Sequence, residues 1–421
     1  MAQRERKIQF TLDEHLARRL AARAADVGKN PVAIIKQEVT AWLGSWGLRI
    51  TEHVVRPGET LAILAQRYYR DPSKHTVIAA FNGLSELARL RVGQTLLLPE
   101  IIPDDPLPKG SSPFIFGMHD RGGEHYMTWA GRKGWVLVTE ELGAGRTDWS
   151  SRNYDDLAEQ GFGVMVRLNH GYGPAGTLPR SERYADFAVR CGNFVERSSG
   201  CRIWIIANEP NLAVERPGGP ANGEVITPAK YAQAFAQCRQ EIKRRPGHND
   251  DQVVTAAVGP WNIETNYPAN PSGDWVIYLR DMLTALKGGL DGIALHTYGR
   301  DANPAAIVSE ERMDAPFSHR RKMFRSYVDL MEAIPISLRH LPVYMTEVDQ
   351  NDEWVNVNRG WIQEAYAEIN RWNGDPTRQK IRCMLLYRWE KHFNDKWWIQ
   401  GKSDVINDWR AALQNDYRWY G

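Results

Sequence analysis

Two glutamates in this sequence each follow a short apolar run, the arrangement that places a carboxylate at the end of a buried strand. Glu209 follows the run in IWIIANEP, and Glu347 lies in VYMTEVD. Two convergent carboxylates can hydrolyse a glycosidic bond, because one donates a proton to the departing oxygen while the other attacks or stabilises the anomeric carbon. This chemistry requires a fold that brings both glutamates to the same edge of one sheet.

Eight apolar runs alternate with helical patterns from Phe114 onward. The runs are FIFGMH, WVLVTEE, GVMVRLNH, RIWIIANE, VVTAAVGP, GIALHTY, VYMTEVD and IRCMLLYRW. Nearly continuous apolar strands are typical of a parallel sheet covered on both faces. The segments between them are amphipathic; in TPAKYAQAFAQCRQEIKRR, for example, Thr227 caps a helix and Pro228 begins it. Eight such repeats predict an α/β fold, a (β/α)8 TIM barrel over residues 114–421.

A closed barrel brings the mouths of its fourth and seventh strands to opposite sides of one opening, so Glu209 and Glu347 are predicted to converge there. An open, doubly wound sheet is the alternative. It is disfavoured because no glycine-rich phosphate loop follows the first run.

These residues resemble the clan A glycoside hydrolases, which are retaining enzymes built on this barrel. The resemblance rests on NEP after the fourth run, TE in the seventh and ALHTYG at the sixth, and it covers residues 114–421. It implies that Glu209 is the acid/base, that Glu347 is the nucleophile and that Asn208 binds the 2-hydroxyl of the sugar.

The same resemblance implies three further contacts in the site. His296 would line it, Tyr298 would donate a hydrogen bond to the nucleophile, and Trp389 would form a floor under the cleaved sugar. Candidates by position alone are Trp261 as a stacking surface and, as subsite ligands, Glu140, Glu141, His119 and Asp120. The third run offers Arg167, Asn169 and His170; the pattern does not decide between them, and His170 is kept in the predicted site.

Residues 52–99 resemble a LysM domain. The resemblance rests on Val54, PGETL from Pro57, Ala65, Tyr68, Ile78, Asn82, Gly83, VGQ from Val92, Leu96, Leu98 and Pro99. Physically the segment reads as strand, capped helix, helix and strand. The family binds polymers that contain N-acetylglucosamine, such as chitin or peptidoglycan, in a groove. That groove is implied here at two loops, Gly58, Glu59, Thr60 and Leu61 before the first helix, and Asn82, Gly83 and Leu84 after the second.

Residues 1–49 read as strand, helix, turn and helix, a short segment that resembles the ribbon-helix-helix proteins. That resemblance implies a homodimer through this segment and, less directly, DNA bound by Lys7, Gln9 and Thr11. A dimerisation or docking module that binds no DNA is the alternative. The proline-rich residues 100–113 are predicted to be a semi-rigid linker.

The composition excludes several other classes of protein. A formal charge of only +2 argues against a polyanion binder overall, and no apolar run is long enough for a membrane helix. No signal peptide is visible, so the expectation is a protein made in the cytoplasm that reaches a cell wall by lysis or non-classical export. The four cysteines lack paired or metal-type spacing, and neither a metal nor a cofactor is predicted.

The sequence therefore predicts a retaining glycoside hydrolase that cleaves a polysaccharide and is anchored by its LysM domain. Two alternatives remain. One is a non-catalytic glycan-binding or structural component, phage-like or wall-associated, and the other is a DNA-binding regulator with a sugar-sensing barrel.

Overall fold

The computed structural model describes residues 50–69, 72–85, 88–99, 107–375, 378–391 and 395–420. The chain divides into two units, Met1–Asp104 and Asp105–Gly421. The predicted strand-helix-helix segment at residues 1–49 lies outside the described residues. Of the predicted linker, residues 107–113 are described and belong to the second unit, where Trp419 donates hydrogen bonds to the carbonyl oxygens of Ser112 and Pro113.

The described part of the first unit is a two-stranded antiparallel sheet packed against two helices. Its elements are β1 (Ile50–Val54), α1 (Leu61–Tyr69), a short 3-10 turn (Pro72–Lys74), α2 (His75–Phe81) and β2 (Thr95–Pro99). The Thr60 hydroxyl caps α1 by accepting a hydrogen bond from the Ile63 backbone N–H at 3.2 Å. Leu64, Ile78 and Leu96 are fully buried between the sheet and the helices.

A buried carboxylate organises the turn that leads into α1. Glu59 accepts hydrogen bonds from the Arg56 backbone N–H at 2.8 Å and from His53 Nε2 at 2.7 Å, and it pairs with Arg67. Burial alone would raise the pKa of Glu59, but these hydrogen bonds outweigh it and hold the pKa at about 2. The ionised Glu59 therefore fixes the turn to both β1 and α1.

The second unit is a barrel of eight parallel strands. They are β3 (Phe116–His119), β4 (Trp135–Glu141), β5 (Gly163–Asn169), β6 (Ile203–Ile206), β7 (Gln252–Val254), β8 (Ile293–Tyr298), β9 (Val343–Asp349) and β10 (Ile381–Leu386). Their order is β7-β6-β5-β4-β3-β10-β9-β8. A parallel bridge between Val254 and Gly292 joins the two outer strands of that order. The predicted (β/α)8 barrel is confirmed, and each of its eight strands overlaps one of the eight apolar runs.

Helices cover the outside of the barrel. They are α3 (Glu124–Trp129), α4 (Asp155–Glu159), α5 (Tyr184–Arg197), α6 (Gly219–Asn222), α7 (Pro228–Lys243), α8 (Trp275–Ala285), α9 (Ser326–Ala333), α10 (Trp361–Gly374) and α11 (Ser403–Ala412). In α7, Thr227 is the N-cap and Pro228 begins the helix, as the sequence predicts. Among the helices of the described residues, none is long and apolar enough to cross a membrane.

Alternating strand residues build two separate cores. One set points outward and packs under the helices, and the other fills the barrel interior. The interior set contains side chains from β4 to β10, namely Trp135, Leu137, Met165, Ile203, Ile205, Val254, Ala294, Tyr344, Cys383 and Leu385. This inner layer closes the barrel below its carboxyl end. All four cysteines are buried and free.

We expect Gly134→Ala to destabilise the barrel, because a Cβ at this position would lie 1.9 Å from the Phe116 carbonyl oxygen, a backbone atom that cannot rotate away. Overpacking of this kind costs about 1–3 kcal/mol. Chemical unfolding measures the loss. Gly374→Ala is the matched control: no heavy atom lies within 4 Å of its added Cβ, and it should leave stability unchanged or slightly higher. Equal stability of the two variants would contradict the tight β3–β4 packing.

Candidate active site

The alternation of side chains along β5 and β6 decides which residues reach the carboxyl end of the barrel. Met165 and Ile205 point into the barrel interior, and residues two positions further along a strand face the same side. Arg167 and Asn169 therefore follow Met165 inward, and both are buried. His170 directly follows Asn169, so the alternation would turn its side chain to the opposite side.

The seventh barrel strand, β9, needs an irregularity to present its glutamate. Tyr344 faces the interior, so an unbroken alternation would turn Glu347 outward. Two consecutive residues of β8 pair with Met345 and Glu347, which leaves Thr346 as an extra residue in β9. This bulge shifts the alternation by one residue and turns Glu347 inward.

The other glutamate leaves its strand through a sharp backbone turn. β6 ends at Ile206, and the following Ala207 and Glu209 have φ values of +66° and +30°. Positive φ is unfavourable for residues that carry a Cβ, and such strain clusters at functional sites. The Glu209 carboxylate is 8% exposed and lies 2.8 Å from His296 Nδ1.

A tyrosine hydroxyl joins the two carboxylates. The Tyr298 hydroxyl lies 3.2 Å from Glu209 Oε1 and 3.0 Å from Glu347 Oε2. A carboxylate oxygen of Glu209, a ring nitrogen of His296 and a carboxylate oxygen of Glu347 all lie within 4.8 Å of one another. Two carboxylates and an imidazole at this spacing could hold a metal ion; the same atoms can equally surround a reacting carbon.

His296 and Arg167 together favour the ionised form of Glu347. The Arg167 guanidinium is buried and donates from Nη1 to Glu347 Oε1 at 2.6 Å. Burial alone would raise the pKa of Glu347, but the interactions with His296 and Arg167 outweigh it and hold the pKa at about 2. Glu347 is therefore an ionised carboxylate across the physiological pH range.

The two glutamates lie in a cavity of about 1420 Å³ at the carboxyl end of the barrel. Seven other residues proposed from the sequence line it as well: His119, Asp120, Glu140, Glu141, Asn208, Trp261 and Tyr298. Asn208 is buried, and its side-chain oxygen has no hydrogen-bond partner among the described residues. Glu140 accepts hydrogen bonds from Arg152 at 3.1 Å and from the Tyr154 hydroxyl at 3.0 Å.

Trp261 also lines the cavity, 6.4 Å from the ring of Tyr298 between centroids. Its indole N–H donates to the Arg321 carbonyl oxygen at 3.2 Å, and the Arg300 guanidinium lies 4.3 Å from its ring centroid. The indole is thus held at the wall from several sides.

Two predicted residues lie away from the cavity. The Nδ1 atom of His170 lies within hydrogen-bonding distance of the Ala175 carbonyl oxygen, at 3.0 Å. Trp389 is 6% exposed and lies against the backbone of Gly122 and Gly123, so its indole does not form the floor predicted for it. Tyr387 lines the cavity from the same strand end, and its ring contacts His119 edge-on at 4.8 Å.

The cavity residues that were not selected from the sequence include Tyr172, Glu215, Asp349 and Tyr387. Asp349 could have been found, since it follows Glu347 by two residues and shares its face. Burial raises the pKa of Asp349 well above its usual range, and the charges of Glu347 and Glu209 add to the effect. Burial and the same two glutamates raise the pKa of Glu215 to about 8, against the opposing effects of Arg167 and Asn208.

In the first unit, the predicted groove residues divide into two sets. Glu59 and Leu61 face inward, and the Asn82 amide donates to the carbonyl oxygens of Ile78 and Leu97 at 2.9 and 2.7 Å, which ties α2 to β2. The other predicted residues lie in the two loops. Gly58, Thr60 and Gly83 are exposed, and Leu84 is partly buried. Gly58 and Gly83 have φ of +82° and +64°, where glycine avoids the strain of a Cβ.

Comparison with known protein families identifies one segment of the first unit. Residues 53–99 match the family model of the LysM domain. No curated protein matches the chain.

Comparison of structures places the second unit among known barrels. A family 39 glycoside hydrolase from Bacteroides cellulosilyticus has 13% identity and a TM-score of 0.50, covering 77% of this chain and 68% of that one. A glucosidase from Croceicoccus marinus has 11% identity and a TM-score of 0.47, covering 73% and 68%. At such identities the likeness concerns the fold. Residues 53–99 are a LysM domain, and the second unit is a (β/α)8 barrel with the fold of that family 39 enzyme.

Proposed function

We propose that the barrel is a retaining glycoside hydrolase that cleaves a polysaccharide, with Glu347 as nucleophile and Glu209 as acid/base. The observation that carries this proposal is the Tyr298 hydroxyl, which lies within 3.2 Å of a carboxylate oxygen of each glutamate. Retaining enzymes hold their two carboxyl groups about 5–5.5 Å apart, whereas inverting enzymes need roughly 6.5–9.5 Å for a water molecule. One carboxylate oxygen of Glu209 and one of Glu347 lie within 4.8 Å of each other, and this short separation favours the retaining mechanism.

The charges suit the two steps of that mechanism. Glu347 is ionised, so it can attack the anomeric carbon while Glu209 gives its proton to the departing oxygen. Glu209 then removes a proton from the water that hydrolyses the glycosyl ester. Arg167, Tyr298 and His296 hold the carboxylates in place through both steps.

The LysM domain is proposed to anchor the enzyme on a polymer that contains N-acetylglucosamine. Its two loops, which include Gly58, Thr60, Gly83 and Leu84, offer backbone groups and partly exposed side chains for such a contact. Tethering raises the effective concentration of the barrel at an insoluble substrate without any new contact at the catalytic site.

We expect Glu209→Ala to reduce hydrolysis of unactivated glycans by about 10²–10⁴-fold, because the leaving oxygen loses its proton donor. Substrates with good leaving groups need no proton, so a panel of 2,4-dinitrophenyl β-glycosides should lose less in the first step. Sodium azide should then accelerate turnover and give a glycosyl azide of retained configuration, detectable by NMR.

Glu347→Gln is the companion variant. It should be inactive on all substrates and unresponsive to azide, with an unchanged circular dichroism spectrum, because an amide cannot form the glycosyl ester. A Glu209→Ala variant that loses activated and unactivated substrates equally, with no azide product, would contradict the acid/base assignment. Glycan binding without hydrolysis by the unmodified protein would instead identify the barrel as a receptor.

We expect Arg167→Gln to move the acidic limb of the pH profile of kcat/KM upward by about 1–2 pH units. The reason is that Arg167 lowers the pKa of Glu347, so its removal lets the nucleophile become protonated at a higher pH. Arg167→Lys keeps the positive charge and should shift the limb less. An acidic limb at the same pH in all three proteins would contradict control of Glu347 by Arg167.

We expect removal of residues 1–99 to abolish sedimentation with insoluble chitin or peptidoglycan while hydrolysis of small soluble glycosides stays nearly unchanged. Removal of residues 1–49 alone is the matched control, since it keeps the LysM domain and should keep sedimentation. Equal sedimentation of both shortened chains would show that the LysM domain is not the anchor.

A further inference from the structure

A third glutamate, Glu215, lies on the loop that follows β6 and lines the same cavity as Glu209 and Glu347. Thr177 fixes this loop: its backbone N–H donates to the Glu215 carbonyl oxygen at 3.0 Å, and its hydroxyl donates to the Asn208 carbonyl oxygen at 2.8 Å. Asn208 and Glu215 are therefore held as neighbours, and the Asn208 side chain is hydrogen-bonded to the Glu215 carboxyl group.

Within the described part of the chain, the Glu215 carboxyl group is not balanced by an ion pair of its own. Among the described residues, no Lys, Arg or His forms an ion pair with it, whereas Glu347 has Arg167. Burial and the charges of Glu209 and Glu347 raise the pKa of Glu215 to about 8, although Arg167 and Asn208 oppose the effect. A cation bound among these carboxyl groups would remove the repulsion and let Glu215 ionise.

A second acceptor next to Glu215 also lacks a partner. The Asn208 side chain is more than nine-tenths buried, it lines the cavity, and its Oδ1 accepts no hydrogen bond within the described part of the chain. A buried acceptor without a donor is costly, so a ligand that brings donors is favoured here. A sugar hydroxyl offers one donor, whereas an ammonium group offers three and a positive charge.

The rest of the cavity wall favours a cation as well. Nine Asp or Glu side chains line it, against three arginines. Each of these arginines is paired with a carboxylate: Arg152 with Glu140, Arg388 with Asp120, and Arg121 with Asp156. The described residues of the wall therefore offer no free guanidinium to an anion, and a positively charged ligand meets little repulsion there.

We propose that the sugar bound between Glu209 and Glu347 carries a free amino group, which Glu215 and the side-chain oxygen of Asn208 bind. The substrate is then a hexosamine polymer that has lost at least some of its N-acetyl groups. Only the cleavage step of this inference rests on the proposed hydrolase function. Recognition of the amine is supported by Glu215, Asn208 and the cavity around them. A partly N-acetylated polymer would also contain the N-acetylglucosamine that the LysM domain is proposed to bind.

The test compares three hexasaccharides that share a β-1,4 linkage and differ only at position 2: glucosamine, N-acetylglucosamine and glucose. Hydrolysis and calorimetric binding are measured for the full chain and for Glu215→Gln. We expect the unmodified protein to prefer the glucosamine hexamer, and Glu215→Gln to lose that preference by roughly 10–100-fold in kcat/KM and in Kd, since a charged hydrogen bond is removed. Glu390→Gln is the control, because it removes another carboxylate from the cavity wall and should keep the preference.

The outcomes separate the two proposals. If a neutral hexamer is cleaved as well as the glucosamine hexamer, or if Glu215→Gln keeps the preference, amine recognition is overturned and the hydrolase stands. If no hexamer is cleaved but glucosamine binding depends on Glu215, amine recognition stands and the hydrolase fails. If neither cleavage nor Glu215-dependent binding occurs, amine recognition is overturned. The LysM domain is the same in all three proteins, so differences between them report the barrel.

Discussion

Two buried carboxylates that lie within hydrogen-bonding distance of one tyrosine hydroxyl are the constraint on which the rest of the barrel depends. A second negative charge beside the ionised Glu347 is costly at this distance in a medium of low polarity. The fold answers with a buried guanidinium from β5 and with an imidazole and a hydroxyl from β8. Removing any of these groups leaves a charge without its partner, so the inward-facing polar layer behaves as one unit.

The barrel provides this layer at some cost to its own regularity. The chain departs from the strand pattern at Ala207 and Glu209, where φ is positive, and at Thr346, which is an extra residue in β9. Both irregularities lie next to a proposed catalytic glutamate. Below them the interior is an ordinary layer of apolar side chains, including Trp135, Tyr344 and Leu385, which supplies the rigid base that such distortions require.

The sequence was informative where a pattern repeats and uninformative where a single residue breaks it. Eight apolar runs predicted eight strands, and the motifs after them located both glutamates. To choose among Arg167, Asn169 and His170, one must know that the side chain of Met165 points into the barrel. The sequence does not show this, because it does not fix which residue begins the strand. The bulge at Thr346 has no signature in the sequence, although without it Glu347 would face the helices. Trp389 and Glu215 depend on loops whose paths follow from tertiary contacts and have no periodicity to read.

Asp349 gives the cavity a property that the two proposed catalytic glutamates do not have, which is a proton affinity that changes during the reaction. Burial raises the pKa of Asp349 well above its usual range, and the nearby negative charge of Glu347 adds to the effect. In the proposed mechanism that charge disappears when Glu347 becomes a glycosyl ester, so the repulsion on Asp349 falls. Asp349 is then more acidic for the lifetime of the intermediate and less acidic again when water releases the sugar. The affinity of the cavity for a proton would thus change twice in each turnover.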